Sequence, residues 1–258
     1  MKLPPRTSNA AVLPLNAERM SDPQIPRHVA VVMDGNGRWA KARLLPRFMG
    51  HKQGMDTLVA AIGEFARRGV EYLTVFAFSS ENWKRPSDEV SGLMSLVLIG
   101  VQKYLEKLHR DGVRVRVVGD RAAISQHLRD AWDHAEQLTA GNRRINLSVA
   151  FNYGGRWDML QACRKALAEG IPPEALDEDT LSRRLSLSYA PDPDLIIRTG
   201  GEMRLSNFLL WQAAYAELYF TDSLWPDFDG AQIDKALAAY ANRDRRYGGV
   251  IEDLAQTG

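Results

Sequence analysis

The chain has 258 residues, one cysteine (Cys163) and a formal net charge of +1. That length suffices for one large α/β domain, and so balanced a charge excludes a global field for nucleic acid or an anionic membrane, leaving only local arginine clusters as anion sites. A single cysteine excludes an internal disulfide and a cysteine-based zinc site and fits a reducing compartment, and no stretch is long and apolar enough to span a bilayer.

Residues 1–24 carry prolines and no apolar segment of the secretory kind, so they read as a flexible extension, with Met20 as an alternative start. The run His28-Val29-Ala30-Val31-Val32-Met33 predicts a strand over 29–33. Helical spacing follows over 51–68, closing at Gly69, and then a strand over 72–78. A long helix is expected over 87–110, ending near Gly112, followed by an alternating strand over 113–118. Further on come a helix over 122–139, a strand over 145–151, and helices over 156–169 and 179–187. A strand over 195–198, a helix over 206–216, a short strand over 217–220 and a helix over 231–245 complete the pattern. Strands alternating with helices predict an α/β fold, with a central, mostly parallel six-stranded sheet flanked by helices. One domain over 25–250 is the simplest organisation, with 251–258 as a tail.

Ligands of such sheets bind beyond the carboxyl ends of the strands, and that rule selects residues directly. The first strand runs into Asp34-Gly35-Asn36-Gly37-Arg38-Trp39. Glycines let a backbone approach an anion, and Arg38 offers a forked cation suited to diphosphate. Asp34 would repel phosphate unless a divalent cation lies between them, so the turn points to a metal–diphosphate site. The alternative is a tight loop with a capping aspartate. Arg47 and His51 lie close enough in sequence to join this first anion site, although Arg47 is also an ordinary surface residue and His51 an ordinary cap.

The second strand ends in Phe78-Ser79-Ser80-Glu81-Asn82-Trp83-Lys84-Arg85. Asn82 can orient a reacting group through its amide, or simply form the turn before Pro86. Beyond the fifth strand, Arg198, Arg204 and Ser206 can converge on a second anion, with an N-cap as the plainer role of Ser206. Glu217 stands in an apolar context and needs a partner, either an arginine or a metal shared with Asp34. The segment 92–101 is apolar on nearly every side. It is either a buried core helix or the wall of a cavity for hydrocarbon, where each sheltered CH₂ contributes roughly 0.8 kcal/mol.

Gly35-Asn36-Gly37-Arg38-Trp39-Ala40 also matches a dinucleotide fingerprint, but the second strand lacks the acidic residue that fingerprint expects at its end. No Walker-type loop, His-Glu-x-x-His or Gly-x-Ser-x-Gly is present. His127 and His134 share a helix face without obvious ligand partners.

These motifs, together with Gly50-His51-Lys52, Glu89, Asn152 to Asp158 and the stretch 198–228, strongly resemble the cis-prenyltransferases. The match runs from about Pro26 to Gly249. The paired Asp-rich motifs of the all-helical trans-prenyltransferases are missing. The resemblance implies a homodimer with a hydrophobic tunnel and Mg²⁺-dependent condensation of isopentenyl diphosphate onto farnesyl diphosphate, with new cis double bonds. The implied product is a long-chain polyprenyl diphosphate, such as undecaprenyl diphosphate, the lipid carrier precursor for cell-wall polysaccharide synthesis. By the same analogy, Asp34 handles Mg²⁺ with help from Glu217. Residues Gly35, Asn36, Gly37, Arg38 and Trp39, with Arg47 and His51, hold the allylic diphosphate, while Arg198, Arg204 and Ser206 hold isopentenyl diphosphate. Phe78, Ser79, Ser80, Glu81, Trp83 and Arg85 line the substrates, with Asn82 near proton removal, and Arg246 reaches a neighbouring active site. A cytoplasmic protein, peripheral at the inner membrane face and in transient contact with it for product release, is implied as well; a nucleic-acid partner is not. A non-catalytic partner subunit is a second reading, opposed by the presence of Asp34, Asn82, Arg198, Arg204 and Glu217. One departure is Met203, where bacterial relatives often carry histidine; methionine is a poor ligand for a hard ion.

Overall fold

The computed structural model describes residues 24–243. Six strands form one sheet: β1 (His28–Val32), β2 (Tyr72–Ser79), β3 (Val113–Val118), β4 (Ile145–Tyr153), β5 (Leu195–Arg198) and β6 (Glu217–Phe220). Their order is β3-β4-β2-β1-β5-β6, and every neighbouring pair is parallel. The helices are α1 (Asn36–Ala42), α2 (Arg47–Arg67), α3 (Ser87–Arg110), α4 (Gln126–Thr139), α5 (Gly155–Ala168), α6 (Glu178–Ser182) and α7 (Gly230–Ala241).

The sheet is covered on both sides, which is why β1 reads as an unbroken apolar run. Val29 and Val31 point to one side, where Phe65 of α2 and Ile233 of α7 pack. Ala30 and Val32 point to the other, toward Phe208 and Leu209. A third cluster joins Phe78 and Phe151 to Trp132 of α4. From β1 the chain visits β2, β3 and β4 on one flank and then crosses to β5 and β6 on the other. The crevice above β1 is therefore the switch point at which open α/β sheets bind ligands.

Three expectations change, among them the helix expected over 179–187, which ends at Ser182 and gives way to turns. The first helix starts at Asn36, immediately after the β1 turn, so His51 lies inside α2 rather than at a helix start. The segment expected as a helix over 206–216 is a chain of turns. Ser206, Asn207 and Leu209 have φ of 52°, 64° and 44°, the left-handed region that a right-handed helix cannot contain. Asn207 holds that conformation by bonding outward: its carbonyl accepts the Gly155 N–H at 2.6 Å and its Oδ1 the Arg156 N–H at 3.0 Å. Ser206 is thus no N-cap. The last helix ends at Ala241, and the expected end at Arg245 lies outside the described residues.

His28 is fully buried, with Nδ1–H donating to the Pro191 carbonyl at 2.6 Å and Nε2 accepting from the Thr74 hydroxyl at 2.8 Å. Burial pushes its pKa down to about 4. The folded chain thus keeps this imidazole neutral while the unfolded chain protonates near pH 6.5. Stability is expected to fall as pH drops from about 6.5 toward 4, by on the order of 3 kcal/mol from His28 alone. Urea midpoints at pH 7 and pH 5 check this. Equal midpoints would contradict a neutral buried His28.

Candidate active site

β1 and β5 deliver the two central charges. Gly35, at φ 108°, takes the left-handed conformation that turns the chain from β1 into α1, and its N–H donates to Asp34 Oδ1 at 2.7 Å. Arg198, the last residue of β5, has a side chain only 5% exposed. Its guanidinium donates to Asp34 Oδ2 at 2.9 Å, to Ser206 Oγ at 2.7 Å and to the Arg204 carbonyl at 2.6 Å. Arg38 reaches Asp34 Oδ1 from α1 at 3.3 Å. Thr199 locks the two turns together: its hydroxyl accepts the Asp34 N–H at 2.9 Å and donates to the Asp34 carbonyl at 2.7 Å.

α2 brings the second cationic group. Arg47 lies beside Gly37, where a Cβ would come 3.1 Å from its Nε. Glu89 accepts from Arg85 at 3.0 Å and sits 3.4 Å from Arg47. His51 lies among them. Burial first, then the positive charges of Arg85 and Arg47, lower its pKa to about 4, so it is a neutral imidazole near pH 7. α2 can approach this closely because Gly50 and Gly54 have no side chain: a Cβ would sit 2.0 Å from the Asn36 carbonyl at Gly50 and 2.3 Å from Asn36 Oδ1 at Gly54.

Beside these groups opens a cavity of about 360 Å³, whose lining does not include Arg38 or Arg47. Asp34, Asn36, His51, Phe78, Ser79, Asn82, Arg85, Arg198, Arg204 and Ser206 line it, so ten of the residues selected from sequence meet there. Among the described residues, three buried side-chain atoms have no hydrogen-bond partner: Asn36 Oδ1, His51 Nε2 and Arg198 Nε. All three belong to residues lining this cavity. Asn36 Oδ1 is packed against Gly54 of α2, but buried polar atoms are ordinarily satisfied, so His51 Nε2 and Arg198 Nε mark where a polar ligand would supply the partners.

Asn82 uses its amide oxygen to accept the Ser79 N–H at 3.0 Å. The group it turns to a ligand is therefore the NH₂ donor. Ser79, Asn82 and Ser206 also border a second, more open cavity with Glu81 and Arg156. Burial works to raise the Glu81 carboxyl, but donors from Asn207, its own backbone and the Ser79 and Ser80 hydroxyls hold it below the ordinary glutamate value. Trp83 is a supporting residue: its Nε1–H donates to Asn152 Oδ1 at 2.7 Å and its ring packs edge-on against Phe78.

Below the charged end, the main cavity is apolar. It shares Met55, Leu58, Ala77 and Val97 with a deeper cavity of about 100 Å³ between the sheet, α2 and α3, walled by residues such as Ile62, Leu105, Trp132 and Val149. The apolar helix 92–101 is thus both core and cavity wall.

Trp39, like Arg38 and Arg47, lies outside the lining of the main cavity; its Nε1–H donates to Asp227 at 2.7 Å and Arg43 stacks on its ring. Glu217 does not meet Asp34 within the chain. The register sets it opposite Leu195, three residues and roughly 10 Å short of the Arg198 level. Its carboxylate lies 3.7 Å from Arg243 instead. Met203 is 78% exposed and does not line the main cavity. Arg246 lies outside the described residues. Thr199 and Asn207, which hold the two turns in place, were not singled out from sequence, although the Thr following a strand-end arginine and the Asn in a turn-rich segment were the available signals.

Among the described residues no three His, Cys, Asp or Glu side chains cluster as a metal cage. Asp34 is the single carboxylate of the described residues that lines the main cavity. Such a site fits a hard ion held by one carboxylate, water and ligand phosphate oxygens, and it does not fit a stand-alone protein cage.

Residues 32–248 match the prenyltransferase family model described as "Putative undecaprenyl diphosphate synthase". The chain belongs to this family. An isoprenyl transferase of Neisseria meningitidis serogroup B is 56% identical over 230 residues, covering 89% of this chain and 92% of the relative. A (2E,6E)-farnesyl-diphosphate-specific ditrans,polycis-undecaprenyl-diphosphate synthase of Pseudomonas aeruginosa is 50% identical, covering 89% and 93%. Among solved structures, lavandulyl diphosphate synthase from Lavandula x intermedia, in complex with dimethylallyl diphosphate, superposes with a TM-score of 0.85 at 36% identity, covering 88% of this chain and all of that one. A probable undecaprenyl diphosphate synthase from Campylobacter jejuni gives 0.75 at 32% identity, covering 86% and 98%. Family membership gives the parallel sheet and its charged crest a common meaning: this is the cis-prenyltransferase fold.

Proposed function

We propose that the chain condenses isopentenyl diphosphate onto farnesyl diphosphate, repeatedly, to give undecaprenyl diphosphate. The observation that carries this reading is a carboxylate shared between Arg38 and Arg198 at the head of a cavity whose floor is apolar. A diphosphate needs the head and a prenyl chain needs the floor.

Arg38, Arg47 and the turn 35–38 bind the allylic diphosphate, beside neutral His51. Arg198, Arg204 and Ser206 bind isopentenyl diphosphate. Both anions then sit around Asp34, which with their oxygens would hold Mg²⁺. When bound, the ion neutralises charge on the departing diphosphate. Arg38 and Arg47 stabilise that same charge as the allylic C–O bond weakens. The isopentenyl double bond attacks the allylic carbon, and the proton lost from the neighbouring carbon passes to a phosphate oxygen. Asn82, a neutral amide with its oxygen already engaged, orients the reacting diphosphate and does not remove the proton. The walls below exclude water from the electron-deficient carbon. Holding the two reactants in line removes much of the entropic barrier.

The same reading makes the protein a homodimer. β6 is an outer strand of the sheet, and its Leu218 and the preceding Tyr215 are exposed, which supports an apolar pairing edge. Glu217 lies on that strand and would serve a metal only from across such a dimer. Arg246 has its proposed role in a neighbouring site as well.

Incubation with farnesyl diphosphate, labelled isopentenyl diphosphate and Mg²⁺, followed by chromatography of the dephosphorylated products, tests activity and chain length together. Absence of labelled lipid would defeat the reading. Val97 lines both the main and the deeper cavity, so Val97→Phe is expected to shorten the products while leaving the first condensation intact. Unchanged lengths would mean that the hydrocarbon takes another path.

A further inference from the structure

We propose that the corner between α1 and α2 is a docking surface for an anionic phospholipid bilayer. Residues 41–49 are exposed without interruption. Among them Leu44, Leu45, Phe48 and Met49 are apolar, with Leu44 95% exposed. Lys41 and Lys52 flank them in the chain, with Arg43 paired to Asp227 at 3.3 Å and Arg47 to Glu89 at 3.4 Å, and the segment 41–52 itself contains no acidic residue. Apolar side chains set in a basic rim match a surface of anionic headgroups over hydrocarbon. The chain's overall charge of +1 supplies no such attraction, so it must come from a local patch such as this corner.

The backbone at Leu44 argues that its side chain is displayed and not tolerated. The Leu45 N–H donates to the Ala40 carbonyl and the Leu44 N–H to the Lys41 carbonyl, which is the Schellman ending of α1. Leu44 occupies its left-handed position at φ 55°, where glycine is the residue without steric cost. A leucine there strains the backbone and loses its side chain to water. Both penalties vanish for glycine, so α1 itself gains nothing from leucine. A hydrocarbon layer that accepts the side chain gives it a use.

The corner adjoins the charged site through Arg47, next to Gly37. Docking there would hold the cavity head close to the membrane that receives a long polyprenyl product. In this respect the inference deepens the proposed function and rests on it, whereas lipid binding itself is measured without substrate.

The test is co-sedimentation of the full chain with phosphatidylglycerol vesicles and with neutral phosphatidylcholine vesicles. Wild type is expected to bind the anionic vesicles preferentially and to lose binding at about 0.5 M salt, where exposed charges are screened. Leu44→Gly with Phe48→Ser is expected to lower binding by roughly tenfold or more. Turnover of the variant in detergent should stay unchanged, since neither side chain lines the cavity. Leu44→Gly alone should melt at the same temperature or higher, which separates loss of docking from loss of folding. Equal binding by wild type and the double variant would overturn the proposal. So would failure of wild type to bind anionic vesicles, or a change in oligomeric mass on substitution with vesicle binding intact, which would make the corner a contact between copies. Vesicle binding by a chain that makes no lipid product would uphold docking and defeat the proposed reaction.

Discussion

Asp34→Ala is expected to lower kcat about a thousandfold while leaving diphosphate affinity, measured without Mg²⁺, unchanged or improved. The reason is the double role of that carboxylate. In the ligand-free site it accepts from Arg38 and Arg198, the same guanidinium groups that an incoming diphosphate must engage. Removing it frees both cations for the ligand. It also removes the only carboxylate that lines the main cavity among the described residues, so a metal would lose its protein anchor. Loss of a preorganised electrostatic group of this kind costs on the order of 3–4 kcal/mol in the transition state. The change also leaves Arg198 without its anionic partner, and stability should fall by about 1–3 kcal/mol, the usual penalty for an unsatisfied buried polar group. Inorganic pyrophosphate should restore part of that loss, because it gives Arg198 a substitute anion. Isothermal titration with pyrophosphate, thermal melts and steady-state kinetics separate these effects. Near-normal kcat in Asp34→Ala with Mg²⁺ present would sink the metal assignment. Pyrophosphate binding that weakens tenfold or more would sink the competition between carboxylate and ligand.

Arg198→Ala is expected to raise KM for isopentenyl diphosphate by about a hundredfold, with a smaller effect on KM for the allylic substrate. Hydrogen bonds to charged groups contribute roughly 1.5–3 kcal/mol each. Arg198 is buried, and its unpartnered Nε is one of the three orphaned atoms at the cavity. Its other nitrogens also hold Ser206 and the Arg204 carbonyl, so the loop carrying both residues should loosen. Arg198→Lys tests whether charge alone suffices. A lysine ammonium cannot span Asp34, Ser206 and the Arg204 carbonyl as a planar fork does, so most of the loss should persist. Kinetics with each substrate varied in turn provide the check. An unchanged KM for isopentenyl diphosphate in Arg198→Ala would remove this residue from the binding site.

Much of the site was legible because its parts obey local rules. Alternation and apolar runs marked the strands, and ligands gather at strand ends in parallel sheets, so Asp34, Asn82, Arg198 and Ser206 were named before any fold was known. What was not legible has equally local causes. Trp39 follows Arg38 directly, and only the pitch of α1 decides that the indole reaches Asp227 while the guanidinium reaches Asp34. The spacing of 206–216 resembles a helix. Tertiary bonds from Asn207 to Gly155, Arg156 and Glu81 outweigh that preference and hold a left-handed turn. Glu217 has the arginine partner that its apolar context called for, Arg243 at 3.7 Å, while its level relative to β5 could not be read from one strand alone.

By itself, the sequence determined the α/β class, the strand-end turns and the chemical types gathered there, since those depend on periodicity and on residues a few positions apart. Only the tertiary structure decided that Arg198 closes on Asp34 across 164 positions of chain, that three polar atoms stay unpaired beside the cavity, and that an apolar recess lies beneath them. Such contacts are set by sheet order and by how closely α2 packs at Gly50 and Gly54, and no local propensity encodes either.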